Sequence, residues 1–315
     1  CAQAGALVGR QQGEKPVGGL PLPFRLGLPG RLVVRVGVPG VNFNEVVGPV
    51  KAMHGVNCAP YARKTGPNQP AIEKFFTEAK LPYCRLHDCC GAYGGMNFVD
   101  IPNIFRDFDA DENDPESYDF AFTDALIKGL MEYGVEPYFR LGVTIENYAV
   151  IKQYNQDPPK DFAKWARICE HIIRHYNYGW ANGFEYNIQY WEIWNEPDLD
   201  YQKPIIRTWG GTREQFYDLY EITAKHLKTC FPHLKIGGPA LAGVKENGWA
   251  ERFLAQLTAP LDFFSWHIYS NDLYLNKKMK TNPDVAKETL PACRAVLAKI
   301  TDWTHDTLHE RLMEL

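Results

Sequence analysis

One short string concentrates groups that could do chemistry: Tyr190-Trp191-Glu192-Ile193-Trp194-Asn195-Glu196-Pro197-Asp198. Period-two alternation along a strand would put Glu192, Trp194 and Glu196 on one side, and Pro197 would stop the strand so that Glu196 stands at its mouth. A carboxyl group held there against aromatic surface can have its pKa raised, keep its proton and act as a general acid. The Asn195 amide both donates and accepts hydrogen bonds, which suits a sugar hydroxyl. Trp191 and Trp194 beside the carboxylate suit stacking on a sugar face, so Trp194 joins Asn195 as a candidate substrate contact.

Such groups work only if a scaffold brings them to one place. From Met53 onward, short apolar runs alternate with longer amphipathic patterns, the signature of repeated β/α units. The expected strands are Ala52–Asn57, Pro82–His87, Glu136–Leu141, Ile188–Trp194, Leu234–Gly238 and Leu261–His267, with a seventh near His309–Glu314. The clearest helix runs from Phe162 to Tyr176, where Phe162, Trp165, Ala166, Cys169, Ile172, Ile173 and Tyr176 recur at helical spacing after Pro158-Pro159. A second spans Thr212 to Cys230 with Phe216, Leu219, Tyr220, Ile222 and Leu227. This order predicts an α/β fold of the (β/α)8 TIM-barrel class. The alternative, a doubly wound open sheet, usually carries a glycine-rich phosphate turn after its first strand, and His54-Gly55-Val56-Asn57 is no such turn.

In a parallel barrel the working groups sit at the carboxyl ends of strands. Four runs end in polar residues: His54 and Asn57; Arg85, His87 and Asp88; Asn195 and Glu196; His267 and Tyr269. Together they predict a polar pocket at one end of the sheet.

The full set of strings resembles glycoside hydrolase family 39, the β-xylosidase family, within the clan of retaining (β/α)8 glycosidases. The resemblance is carried by Met53-His54-Gly55-Val56-Asn57, Arg85-Leu86-His87-Asp88, Tyr138-Phe139-Arg140-Leu141-Gly142-Val143, the Glu196 string, Lys235-Ile236-Gly237-Gly238-Pro239, and Asp262-Phe263-Phe264-Ser265-Trp266-His267-Ile268-Tyr269. It implies that Glu196 is the acid/base and that Asn195 contacts the sugar beside the bond being cleaved. It puts His267 and Tyr269 beside the nucleophile, and His54, His87 and Asp88 against substrate. Members carry the nucleophile as a glutamate ending the seventh strand in an Asn-Glu-Trp-like string, which this sequence lacks. The candidate is Glu314 in Leu312-Met313-Glu314-Leu315, with Glu288 and Glu310 as competitors.

The implied reaction is retaining hydrolysis of a β-glycosidic bond, foremost in β-1,4-xylo-oligosaccharides, with no cofactor and no metal. A β-glucosidase, an endo-xylanase or a catalytically inactive carbohydrate-binding barrel are the alternatives, because pocket loops set the sugar.

The remaining features bound this reading. A formal net charge of -4, with no run of like charges, gives no electrostatic footprint for nucleic acid or an anionic membrane. An oligosaccharide is the expected partner, and oligomeric state is left open. Eight cysteines in 315 residues are too sparse for a disulfide scaffold, and no basic region followed by an apolar one opens the chain, so a cytoplasmic location is expected. His171 and His175 are four apart, yet with Glu170 and Arg174 they read as the solvated face of their helix and not as zinc ligands. The acids from Asp107 to Asp114 lack calcium-loop spacing and read as a surface loop. Residues 1–40 form an irregular N-terminal segment, opening on Cys1 and rich in Gly and Pro, and 41–315 form a barrel domain. Without an eighth strand or accessory β-domain in view, the chain reads as a fragment with an incomplete barrel.

Overall fold

The structure is a computed structural model that describes residues 55–57, 76, 78–87, 89, 98–145, 156–204, 206–243 and 248–267. The 1–40 segment and the seventh strand expected near His309–Glu314 lie outside them. Six strands appear among the described residues: β1 (Val56–Asn57), β2 (Tyr83–Arg85), β3 (Glu136–Leu141), β4 (Tyr190–Ile193), β5 (Lys235–Leu241) and β6 (Phe263–Trp266). They form one parallel sheet in the order β1-β2-β3-β4-β5-β6. Helices α1 (Ile101–Ile104) and α2 (Ala121–Glu132) lead into β3, α3 (Phe162–Tyr178) into β4, α4 (Arg213–Cys230) into β5 and α5 (Trp249–Gln256) into β6. No helix among the described residues is long and apolar enough to cross a membrane.

Sequential parallel order is what β/α repeats dictate, since each right-handed crossover lays the next strand beside the last. The sheet is also strongly curled. In a flat sheet β3 and β6 would lie about 14 Å apart, three spacings of about 4.8 Å. Yet the rings of Tyr138 on β3 and Phe263 on β6 are 5.2 Å apart, and Tyr83 on β2 lies 5.4 Å from Tyr190 on β4. These inward side chains converge as they do inside the parallel half-barrel of a β/α fold. The outward residues Phe139, Trp191, Ile193, Ile236 and Phe264 are buried against the helices, with Phe139 stacked on Trp191 at 4.9 Å.

Helices α3 and α4 matter most to the site because they flank β4. Asp161 caps α3 by accepting from the Lys164 amide, and Gly179 ends it at φ 69, a left-handed conformation that glycine adopts without a Cβ clash. The apolar stripe at Trp165, Ala166, Cys169, Ile172, Ile173 and Tyr176 is buried as its spacing predicts. His175 departs from the solvated face expected for it: it is buried, stacked on Phe120 at 3.6 Å, and bonded to Asp124 and the Trp180 carbonyl. At the start of α4, Thr212 and Gln215 form a reciprocal capping box. Phe216, Leu219, Tyr220 and Leu227 pack inward, whereas Ile222 is 39% exposed and falls outside the stripe assigned to it.

Candidate active site

The carboxyl ends of β2, β4, β5 and β6 carry a connected polar network. It begins one layer below the rim. Arg85, the last residue of β2, donates from Nε to Glu192 Oε2 at 2.6 Å, from Nη1 to Asn57 Oδ1 at 3.2 Å and from Nη2 to Asn195 Oδ1 at 2.9 Å. Ser265 on β6 donates to the other Glu192 oxygen at 2.7 Å and accepts from the Ala240 amide. Glu192 is 1% exposed, so this charge is tolerable only because both its oxygens are engaged. The curl of the sheet makes the pairing possible, since β2, β4 and β6 are next-but-one neighbours whose inward residues meet across the strand between.

Above this layer the chain leaves β4 in an unusual way. Trp194 has φ 73 and Glu196 φ 46, left-handed values that are rare and strained for residues with a Cβ. Three contacts hold them: Trp194 N to Leu141 O, Glu196 N to Ala240 O, and Thr208 Oγ1 to Glu196 O. The result ends the strand's alternation at Ile193. Glu196 turns toward β6, where its Oε1 lies 2.5 Å from His267 Nδ1. Asn195 is wholly buried; Arg85 fixes its oxygen, and its Nδ2 has no hydrogen-bond partner among the described residues.

The same turn overturns one sequence expectation. Trp194 does not face the pocket. Its ring lies on the helix side among Trp165, Trp209 and Phe216, it is 1% exposed, and its Nε1 donates to the Thr208 carbonyl. Trp191 is likewise buried on the helix side. The tryptophans of the string anchor the strand from behind and offer no face to a sugar.

Electrostatics separate the neighbouring groups. His87 is buried just beyond β2, and burial, helped by the charges of Arg140, Arg85 and His267, holds its pKa well below the usual histidine value, so the ring is neutral near pH 7. Asp198, two residues beyond Glu196, accepts from the amides of Ala242 and Gly243 at 2.8 and 3.2 Å, tying the β4 exit to the β5 exit. Burial pushes its carboxyl up to about 6, the nearby Glu196 charge adds to this, and the backbone amides oppose it. Deeper in the fold, Arg140 of β3 and Asp100 form a fully buried ion pair at 2.5 Å, and Asp100 also accepts from Thr144.

The structure thus brings Glu196, Asn195 and His267 together, with His87 close by in the same field. His54, Asp88, Tyr269 and Glu314 lie outside the described residues. Three contributors went unrecognised in the sequence: Glu192 as the partner of Arg85, Ser265 as its second donor, and Asp198 as the clamp on the β5 exit. Period-two placement of Arg85, Glu192 and Ser265 inside one curled sheet was the available signal.

The model of glycosyl hydrolases family 39 matches residues 75–306. A β-xylosidase of Geobacillus stearothermophilus is 29% identical over 184 residues, covering 55% of this chain and 34% of that protein. One from Caldicellulosiruptor saccharolyticus is 31% identical over 227 residues, covering 69% and 42%. The crystal structure of a glucosidase from Croceicoccus marinus superposes with a TM-score of 0.61 at 27% identity, over 84% of this chain and 52% of that one. The chain therefore spans less than half the length of each of these β-xylosidases.

Proposed function

The chain belongs to glycosyl hydrolases family 39, and on that premise we propose that it is the larger part of the catalytic barrel of a retaining β-glycosidase acting on β-1,4-xylo-oligosaccharides. The observation that carries this reading is the strand-end carboxyl of Glu196, turned into the polar end of the sheet, 2.5 Å from His267 and next to an Asn195 amide with an unspent donor. The two β-xylosidases similar to this chain support the choice of sugar.

In the proposed cycle His267 donates to Oε1 of Glu196, leaving Oε2 to carry the transferable proton. Glu196 passes that proton to the glycosidic oxygen as the seventh-strand carboxylate, assigned to Glu314, bonds to the anomeric carbon and the leaving alcohol departs. Glu196, now a carboxylate, takes a proton from water, whose oxygen displaces Glu314 and restores both groups. The Asn195 Nδ2 donates to the sugar hydroxyl next to the anomeric carbon. Retention requires the two carboxyl groups to stand about 5–5.5 Å apart.

The test is turnover of xylobiose and of nitrophenyl β-xyloside, β-glucoside and α-arabinofuranoside by the purified chain, with the product anomer read by NMR. Glu196→Gln should lose about 10²- to 10⁴-fold on xylobiose, whose leaving group needs the proton, and less in the bond-breaking step with nitrophenyl xyloside. Inversion at the anomeric carbon would overturn the mechanism. Binding of xylobiose without turnover of any glycoside would mark the barrel as catalytically inactive.

A further inference from the structure

Away from the strand ends, helices α3 and α4 bring three unlike side chains together. His226 and Cys230 are four apart on α4 and so share a face, and Glu170 projects toward them from α3. Glu170 Oε2 lies 2.6 Å from His226 Nε2, and Cys230 Sγ lies 3.9 Å from the same nitrogen. The three atoms all fall within 4.8 Å of one another, and each residue is partly buried.

The geometry points to a divalent transition-metal site, of the zinc class, made by Glu170, His226 and Cys230 where α3 meets α4. Thiolate, imidazole and carboxylate together select zinc or cobalt over magnesium or calcium, which take oxygen ligands. Around a tetrahedral ion with ligands at about 2.0–2.3 Å, ligand atoms stand about 3.3–3.8 Å apart. To reach that spacing the 2.6 Å Glu170–His226 contact opens and Cys230, 3.9 Å from His226, draws in slightly, with water as the fourth ligand.

The carboxylate is already oriented for the task. Arg174 binds only Oε1 of Glu170, at 2.7 Å through Nε, and its guanidinium is set over the Phe231 ring at 5.3 Å, leaving Oε2 directed at the other two ligands. Such outer partners are a regular feature of metal sites. Binding releases the Cys230 thiol proton, and the proton that Nε2 of His226 shares with Glu170 shifts to Nδ1 or leaves as well, so at least one proton is released per ion. Because α3 and α4 flank β4, the ion would staple the two helices on either side of the strand that presents Glu196.

The experiment is a titration of the metal-stripped full chain with Co²⁺. We expect a thiolate-to-cobalt charge-transfer band and visible bands of tetrahedral strength that saturate at one equivalent and are bleached by one equivalent of Zn²⁺. Cys230→Ala should abolish the charge-transfer band while far-UV circular dichroism is unchanged. Cys230→Ser, kept as a second variant, should bind more weakly without that band. Arg174→Ala should weaken binding about 10- to 100-fold. No saturable band in the unmodified chain, or a band undiminished in both Cys230 variants, would overturn the assignment. None of these side chains belongs to the proposed glycosidase site, so the result is independent of that reading.

Discussion

Replacing Arg85 by methionine removes a guanidinium that makes three hydrogen bonds, to Glu192, Asn57 and Asn195, while keeping the length of the side chain. The Glu192 carboxylate would remain buried, with Ser265 as its one remaining hydrogen-bond donor among the described residues. A charge-assisted bond contributes about 1.5–3 kcal/mol, and breaking a buried pair from one side costs about 3–5 kcal/mol because the orphaned charge stays buried. Arg85 itself retains 16% side-chain exposure, which places the expected loss toward the lower end of that range. Urea denaturation followed by tryptophan fluorescence reads the change as a shifted midpoint at constant slope. The decisive comparison is the double variant Arg85→Met with Glu192→Leu, which removes both charges. It should be more stable than Arg85→Met alone, since a buried pair often exchanges for apolar residues at little cost. A single variant within about 1 kcal/mol of the parent, or a double variant losing the sum of the two singles, would refute the claim that Glu192 depends on Arg85.

Other positions give independent checks. Asp198 holds its proton more tightly folded than unfolded, so between its ordinary 3.8 and about 6 the folded chain binds more protons and stability falls as pH rises. At about 1.4 kcal/mol per tenfold change in proton concentration, the full cost above pH 6 is about 3 kcal/mol. Asp198→Asn should therefore flatten the decline of urea stability across that window; an unchanged slope would exclude Asp198 as its source. Trp194→Ala should lower unfolding free energy by about 3–5 kcal/mol, the range for truncating a fully buried aromatic. Gly179→Ala at the end of α3 should cost about 1 kcal/mol because its φ of 69 is left-handed, and a neutral result in the same denaturation assay would contradict that geometry. Thr212→Ala, removing the α4 capping box, should cost about 0.5–2 kcal/mol.

Much of the architecture is legible in one dimension because it is periodic. The alternation of short apolar runs with amphipathic stretches marks all six described strands in order, and β3 falls at Glu136–Leu141 as expected. The stripe on α3, its Asp161 start and its Gly179 stop follow from residue types a few positions apart, a range over which backbone geometry is nearly independent of the rest of the fold. Glu196 at a strand end belongs to the same kind of information: a proline one residue later and an apolar run before it.

Only the tertiary structure decided which side chains share the site. The left-handed backbone at Trp194 and Glu196 breaks the two-residue alternation, sending one ring to the helix side and one carboxyl to His267. That conformation is held by backbone bonds to Leu141 and Ala240, contributed by β3 and β5, and by the Thr208 hydroxyl. Arg85, Glu192 and Ser265 meet because the sheet curls, and Glu170 reaches His226 and Cys230 because two helices dock. Each of these contacts joins residues far apart in the chain. Spacing along a sequence encodes which face a residue takes within its own element, whereas curvature and docking arise from packing all the elements at once, so proximity across elements exists only in the folded chain.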